Sequence, residues 1–368
     1  MLVRRLDKGA RWPTDDEPNP FLRYRTLLAA YGRADDDARY VDVVRRLDAS
    51  VADVAGTGFT ATPLRYVDDL RAWVKDETGN VGGSHKGRHL MGLAIWLEVV
   101  EMERGRPLAI ASCGNAAIAA SVIARAALRP LTVYVPTWAD ETVVTHLRDW
   151  GAAIEVCPRR DDDPPGDPCV HRFREAVAAG AIPFSCQGPD NGLTIDGGRT
   201  LAYELVDAGL VVDDMVVQVG GGALASSVTQ GFREAVALGR LAAPPRLHVV
   251  QAEVHAPMVR AWRRRRPQWR AHRSDLMWPW EPPGTSVATG ILDDEVYDWA
   301  AVLDGLETTG GTAVTVTEDE LLRANVRARE VTAIDVSPTG SAGLAGLVAL
   351  RDRGTIASTA SAAVLFTG

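Results

Sequence analysis

Four segments of the chain carry residue types that could do chemistry together. The first is ETGNVGGSHKGRH, in which Gly82 and Gly83 run into His85 and Lys86. A lysine that forms an imine must sit at a fixed point and lose its proton readily, which a partly desolvated position promotes. Glycines just ahead of it let the backbone turn tightly and leave room for a ring. Taken alone, the same letters also describe a turn with a surface lysine. The second segment, ASCGNAAIAAS, places Ser112, Cys113, Gly114, Asn115 and Ala116 where a strand should meet a helix. Backbone N–H groups at such a helix start suit a carboxylate. An ordinary turn capped by Ser112 or Asn115 is the plainer alternative. The third, VVQVGGGALASS, repeats the strand, turn and helix pattern, and Gly220, Gly221, Gly222 and Ala223 can present consecutive amides to a phosphate. It lacks the Gly-Lys-Ser/Thr ending of a P-loop and is not a GxGxxG fingerprint. The fourth, AAVLFTG, is a short apolar strand ending in Thr367 and Gly368.

The elements needed to position these segments can be read from periodicity. From about Pro107 strand-like and helix-like stretches alternate: LAIAS, NAAIAASVIARAAL, LTVYVP, DETVVTHLRDWG, AAIEVC, VHRFREAVAAG and IPFSC. The rhythm resumes with GGRTLAYELVDAG, DDMVVQVGGG, ALASSVTQGFREAVALG and RLHVVQAE. It implies α/β architecture, two open and mostly parallel sheets flanked by helices and facing a cleft. The first sixty residues read as irregular, then helical, and ATPLRYVDDLRAWVKDETGN as one strand-like piece.

Bulk composition narrows the function classes. Hydrophobic residues make up 46% of 368, enough for a sizeable core, and charged residues 24%. Forty Lys+Arg against forty-eight Asp+Glu give a net charge of −8, which argues against nucleic acid or an anionic membrane as the main partner. Cys113, Cys157, Cys169 and Cys186 have no CxxC spacing, so no metal is expected. The N-terminal stretch turns acidic before any apolar run forms, and no segment is apolar enough to span a bilayer. A cytoplasmic, reduced location is expected. Residues 260–283, with seven arginines and four tryptophans, read as a surface excursion or subunit contact, although such patches can also bind single-stranded nucleic acid.

Taken together and in this order, the four segments resemble the fold type II pyridoxal-phosphate enzymes, the superfamily of tryptophan synthase β, cysteine synthase, threonine synthase and the serine/threonine dehydratases. The resemblance runs from Thr62-Pro63-Leu64 to the last residue and includes VTVTEDELLRA and SPTGSAGLAG. It implies pyridoxal 5'-phosphate as cofactor, held on Lys86 in the N-x-x-G-S-x-K pattern of Asn80 to Lys86. It implies that Ser112 to Ala116 bind the substrate carboxylate, with Asn115 meeting the ring hydroxyl. It places the phosphate on the amides of Gly220, Gly221, Gly222, Ala223 and Leu224, and the ring nitrogen on Thr367. The implied domains are 1–92 (first part of the large domain, with Lys86), 93–193 (a small domain) and 194–368 (the rest of the large domain), with the cofactor in the cleft between them. A homodimer acting on a small amino acid is expected.

Departures from the family pattern bear on the reaction. His85 stands where an aromatic residue usually packs under the ring. Cys113 replaces a frequent serine that in racemase-like members faces the substrate carbon opposite the lysine; it serves either as an acid/base or as inert packing. The glycine loop and SVATGI look closest to dehydratases, so the expected reaction is α,β-elimination by an ammonia-lyase-like enzyme. The alternatives are a transferase (β-replacement or threonine-synthase-like chemistry), a racemase and a non-catalytic cofactor-binding protein.

Overall fold

A computed structural model describes Leu6 and residues 10–271, 275–282 and 284–368. Most of the first nine residues, and 272–274 and 283 of the Arg/Trp segment, lie outside the described residues. The chain forms two compact units: one holds residues 62–79 and 201–368, the other residues up to 61 and 80–200. Residues 80–92, with Lys86, therefore pack in the unit of the smaller sheet, whereas the sequence reading grouped them with the large domain.

Ten strands are found among the described residues: β1 (Leu64–Val67), β2 (Ala72–Asp76), β3 (Leu108–Ala111), β4 (Leu131–Val135), β5 (Ala153–Val156), β6 (Ile182–Pro183), β7 (Asp214–Gln218), β8 (Arg246–Ala252), β9 (Ala313–Val316) and β10 (Ala362–Phe366). The larger sheet has the order β1-β2-β10-β7-β8-β9. It is parallel from β2 onward, with β1 antiparallel at its edge. The smaller sheet is all parallel in the order β5-β4-β3-β6. Parallel strands covered by helices on both faces are continuously apolar, as Met215, Val216 and Val217 of β7 are. The expected pair of mostly parallel, helix-flanked sheets is thus present.

One strand-like piece proves to be two. Leu64–Val67 and Ala72–Asp76 form a hairpin because Arg71 adopts a left-handed conformation (φ 49°) that reverses the chain. Local chemistry sets the helix ends. Thr317 and Glu320 form a reciprocal capping box at the helix Glu318–Thr332. Ser337 caps the helix Pro338–Asp352, whose first residue is proline.

The larger unit carries a buried ion pair beside the hairpin. Lys75 Nζ donates to Glu204 Oε2 and to Thr62 O, each at 2.6 Å, with both side chains no more than 3% exposed. Removing one partner strands a buried charge. Glu204→Ala is expected to destabilise the protein by about 3–5 kcal/mol, read as a lower urea midpoint. A loss below about 1 kcal/mol would show that Lys75 is satisfied without the carboxylate.

Candidate active site

In the smaller unit, Lys86 opens the helix Lys86–Val99 shortly after a turn at Val81–Gly83 whose left-handed positions favour glycine. Asn80 Oδ1 accepts from Val81 N, and Gly83 N donates to Asn80 O, both at 2.8 Å. Gly82 and Gly83 are left-handed (φ 70° and 71°), and a Cβ on Gly82 would lie 3.1 Å from Ala119 Cα. A Cβ on Gly87 would lie 2.6 Å from Val81 O, so the residues on both sides of Lys86 are sterically fixed. Lys86 itself is half-buried, while His85 is buried.

His85 packs edge-on against His89, one turn along, with ring centroids 5.7 Å apart. His89 Nδ1 lies 2.8 Å from Thr194 O, a carbonyl that only accepts, so Nδ1 carries the proton. The sequence reading passed over His89, although an imidazole three residues after the lysine and on the same helix face was a visible signal.

Ser112 to Ala116 follow β3, as expected. Ser112 N donates to Tyr134 O at 3.2 Å, and the helix Asn115–Ala126 starts with no side-chain cap on Gly114. Neither Ser112 nor Asn115 is its N-cap residue, although Gly114 N donates to Ser112 Oγ at 3.4 Å. Ser112, Cys113, Asn115 and Ala116 are half-exposed and Gly114 is exposed, while Cys113 and Ala116 rest against the apolar core of the unit.

In the larger unit, Gly220 to Gly222 join β7 to the helix Ala223–Ala237. Gly222 is its N-cap in a left-handed conformation (φ 93°), again with no side-chain cap. A Cβ on Gly222 would lie 2.8 Å from Val296 Cγ1, one on Gly221 3.1 Å from the Tyr297 ring, and one on Gly220 would collide with the Asp293 carboxylate. A Cβ would clash at Gly220 and Gly222 and be tight at Gly221, and the turn leads into a fifteen-residue helix with no side-chain cap. Backbone amides at such a turn and helix start can bind an anion. Ala223 and Leu224 begin the helix and are buried.

Thr367 follows β10 and is buried, and its Oγ1 accepts from Gln218 Nε2 at 2.8 Å. The sequence reading missed Gln218, which stands out as the polar residue within the apolar run MVVQV. It also missed the segment 292–298, whose Asp298 N donates to Gly221 O at 2.9 Å.

Several arginines of the Arg/Trp segment lie against its tryptophans or pair with acidic residues outside it. Arg260 lies 3.7 Å from the Trp278 ring centroid and 5.1 Å from that of Trp280, Arg265 lies 3.1 Å from that of Trp262, and Arg270 pairs with Glu307 and Asp304. His255, whose ring is 5.8 Å from Trp280, donates from Nε2 to Asp293 O, and burial lowers its pKa. No described helix is long and apolar enough to cross a membrane, and no group of described residues could hold a metal.

The sheet pair and the glycine cradle place the chain in a defined class, the fold type II enzymes that work with pyridoxal phosphate. A family model described as pyridoxal-phosphate dependent enzyme matches residues 56–368, and the chain belongs to that family. Its cofactor is pyridoxal 5'-phosphate. The chain is 28% identical to the threonine synthase of Methanosarcina acetivorans over 83% of its own length and 74% of the relative's. It is 26% identical to the cysteate synthase of Methanoregula boonei, over 76% of this chain and 65% of that one. Among solved structures, threonine deaminase isoform 2 from Solanum lycopersicum shares the fold with a TM-score of 0.65 at 18% identity, covering 91% of each chain.

Proposed function

We propose that the protein is an amino-acid lyase that eliminates a β-substituent, with Lys86 as the cofactor-bearing base. The observation that carries the cofactor site is the Gly220–Gly222 turn, where added Cβ atoms would be crowded and a long helix with no side-chain cap begins. Gly220, Gly221, Gly222, Ala223 and Leu224 hold the phosphate by their amides, and His85 lies against the ring. Asn115 meets the ring hydroxyl and Thr367 the ring nitrogen. When bound, the cofactor supplies an electron-withdrawing ring that takes up charge from the substrate's α-carbon. The amides from Ser112 to Ala116 hold the substrate carboxylate, and Lys86 Nζ removes the α-proton. Thr367 offers the ring a neutral hydroxyl rather than a carboxylate, which keeps the ring a moderate acceptor and suits a reaction in which a leaving group departs quickly.

A second reading is favoured by the relatives, which are named as synthases. In that case the enzyme fills the vacated carbon with a nucleophile and releases a new amino acid. One assay separates the two. Purified holoenzyme is incubated with a panel of β- and γ-substituted amino acids, with and without sulfite or a thiol, in deuterated water. A lyase releases ammonia and a keto acid regardless of the nucleophile. A synthase releases a new amino acid, and that result would replace the lyase reading. The same assay tests Cys113 as an acid/base opposite Lys86. Cys113→Ala should then lose about 100-fold or more of the deuterium exchange at the α-carbon of one enantiomer. Unaltered exchange of both enantiomers would leave Cys113 as packing.

A further inference from the structure

We infer that Gln218 is a positioning residue that makes the Thr367 hydroxyl a hydrogen-bond donor to the nitrogen of the cofactor ring. The inference rests on the reading that Thr367 meets that nitrogen. Gln218 is the last residue of β7 and is 5% exposed. Its Nε2 lies 2.9 Å from Gly340 O, 3.2 Å from Leu365 O and 2.8 Å from Thr367 Oγ1. The two ends of a side-chain amide are normally told apart only by their partners. Here two of the three partners are backbone carbonyls, which cannot donate, so the NH2 end must face them. The reversed amide would set its oxygen against both carbonyl oxygens.

Two N–H groups serve three acceptors, so one is shared, and because an amide nitrogen does not accept, the Thr367 oxygen at 2.8 Å is an acceptor. A hydroxyl has one proton, and that proton is turned away from Gln218. The backbone holds Thr367 in place, since Thr367 N donates to Gly340 O at 3.3 Å and the preceding Phe366 pairs with Asp76 in the parallel ladder. A ring nitrogen that receives an O–H keeps its lone pair and stays unprotonated. One that faced the oxygen's lone pair would favour the protonated form. Gln218 thus sets the charge of the ring through Thr367 without touching it.

The arrangement leaves Gln218 Oε1 buried with no hydrogen-bond partner. Gly343 makes room for it, because a Cβ there would lie 2.9 Å from that oxygen. A strand residue selected only for packing avoids an unsatisfied buried carbonyl. The unsatisfied end is what remains when the other end is committed to Thr367 and the two carbonyls.

The test is 15N NMR of holoenzyme reconstituted with pyridoxal phosphate labelled at the ring nitrogen. The wild type should show the shift of an unprotonated nitrogen. Gln218→Glu presents an acceptor to Thr367, reverses the hydroxyl and should move the signal to the protonated position. Gln218→Met keeps the volume, removes the amide donor to Thr367 and should move the signal part of the way, which keeps the test decisive if the Glu variant fails to fold. In a Thr367→Val background, Gln218→Met should cause no further shift. A protonated nitrogen in the wild type would overturn the inference, as would a Gln218→Met signal identical to wild type or an equal shift in the Thr367→Val background. If the wild-type protein took up no cofactor on a lysine, the cofactor reading itself would fail first, and be seen to fail before any Gln218 variant was compared.

Discussion

Lys86→Ala should abolish the yellow absorbance of lysine-bound pyridoxal phosphate and lower turnover by roughly a thousand-fold, the usual scale for losing a positioned base. Lys86 opens a helix behind a turn in which Gly82 and Gly83 are left-handed, and Gly87 admits no Cβ because of Val81 O. The backbone on either side of the lysine thus has little freedom, which is what a nucleophile needs if it is to return to one point in every cycle. The apoprotein of the variant should keep the wild-type melting temperature, since Lys86 is half-buried and begins the helix rather than packing its interior. A variant retaining the wild-type absorbance would show that another lysine holds the cofactor.

Gly221→Asp should weaken pyridoxal-phosphate binding by about a thousand-fold. Two unit charges about 4 Å apart repel by roughly 4 kcal/mol at an effective dielectric constant of about 20, and about 1.4 kcal/mol corresponds to each tenfold of affinity. The Tyr297 ring, 3.1 Å from the Cβ position, leaves the new carboxylate little room on its own side. Gly221→Ala adds the same Cβ without the charge and serves as the control for steric loss. Affinity is read by titrating apoprotein with cofactor. An Asp variant that binds as tightly as the Ala variant would mean that the phosphate does not lie at this turn.

The two variants probe different units. Lys86 and the Ser112–Ala116 turn belong to residues 80–200, the glycine cradle and Thr367 to residues 201–368. Loss of colour in Lys86→Ala with phosphate affinity partly kept, set beside loss of affinity in Gly221→Asp, would assign a separate task to each.

What the sequence determined by itself is local. Glycine pairs at 82–83 and 220–222 announce turns because other residues pay a steric penalty in left-handed conformations or under close contact. Apolar runs such as MVV at 215–217 announce covered parallel strands, and Thr317 with Glu320 or Ser337 with Pro338 announce helix starts. These signals depend on a few neighbouring residues, so no tertiary information is needed to read them. They were enough to place both glycine turns ahead of their helices, and the resemblance they carry was enough to name the cofactor. Only the tertiary structure decided the rest. It inserted β10 between β2 and β7, packed residues 80–92 with the smaller sheet, and set the side chain of Gln218 against Thr367, 149 residues away. It also stacked Arg260 on Trp278, eighteen residues further along the chain. Contacts of this kind join positions far apart in the chain, and their energy depends on which surfaces meet and which polar groups are buried together. No window of sequence contains both partners, so only the folded chain shows that a glutamine at the end of one strand orients a hydroxyl at the end of another.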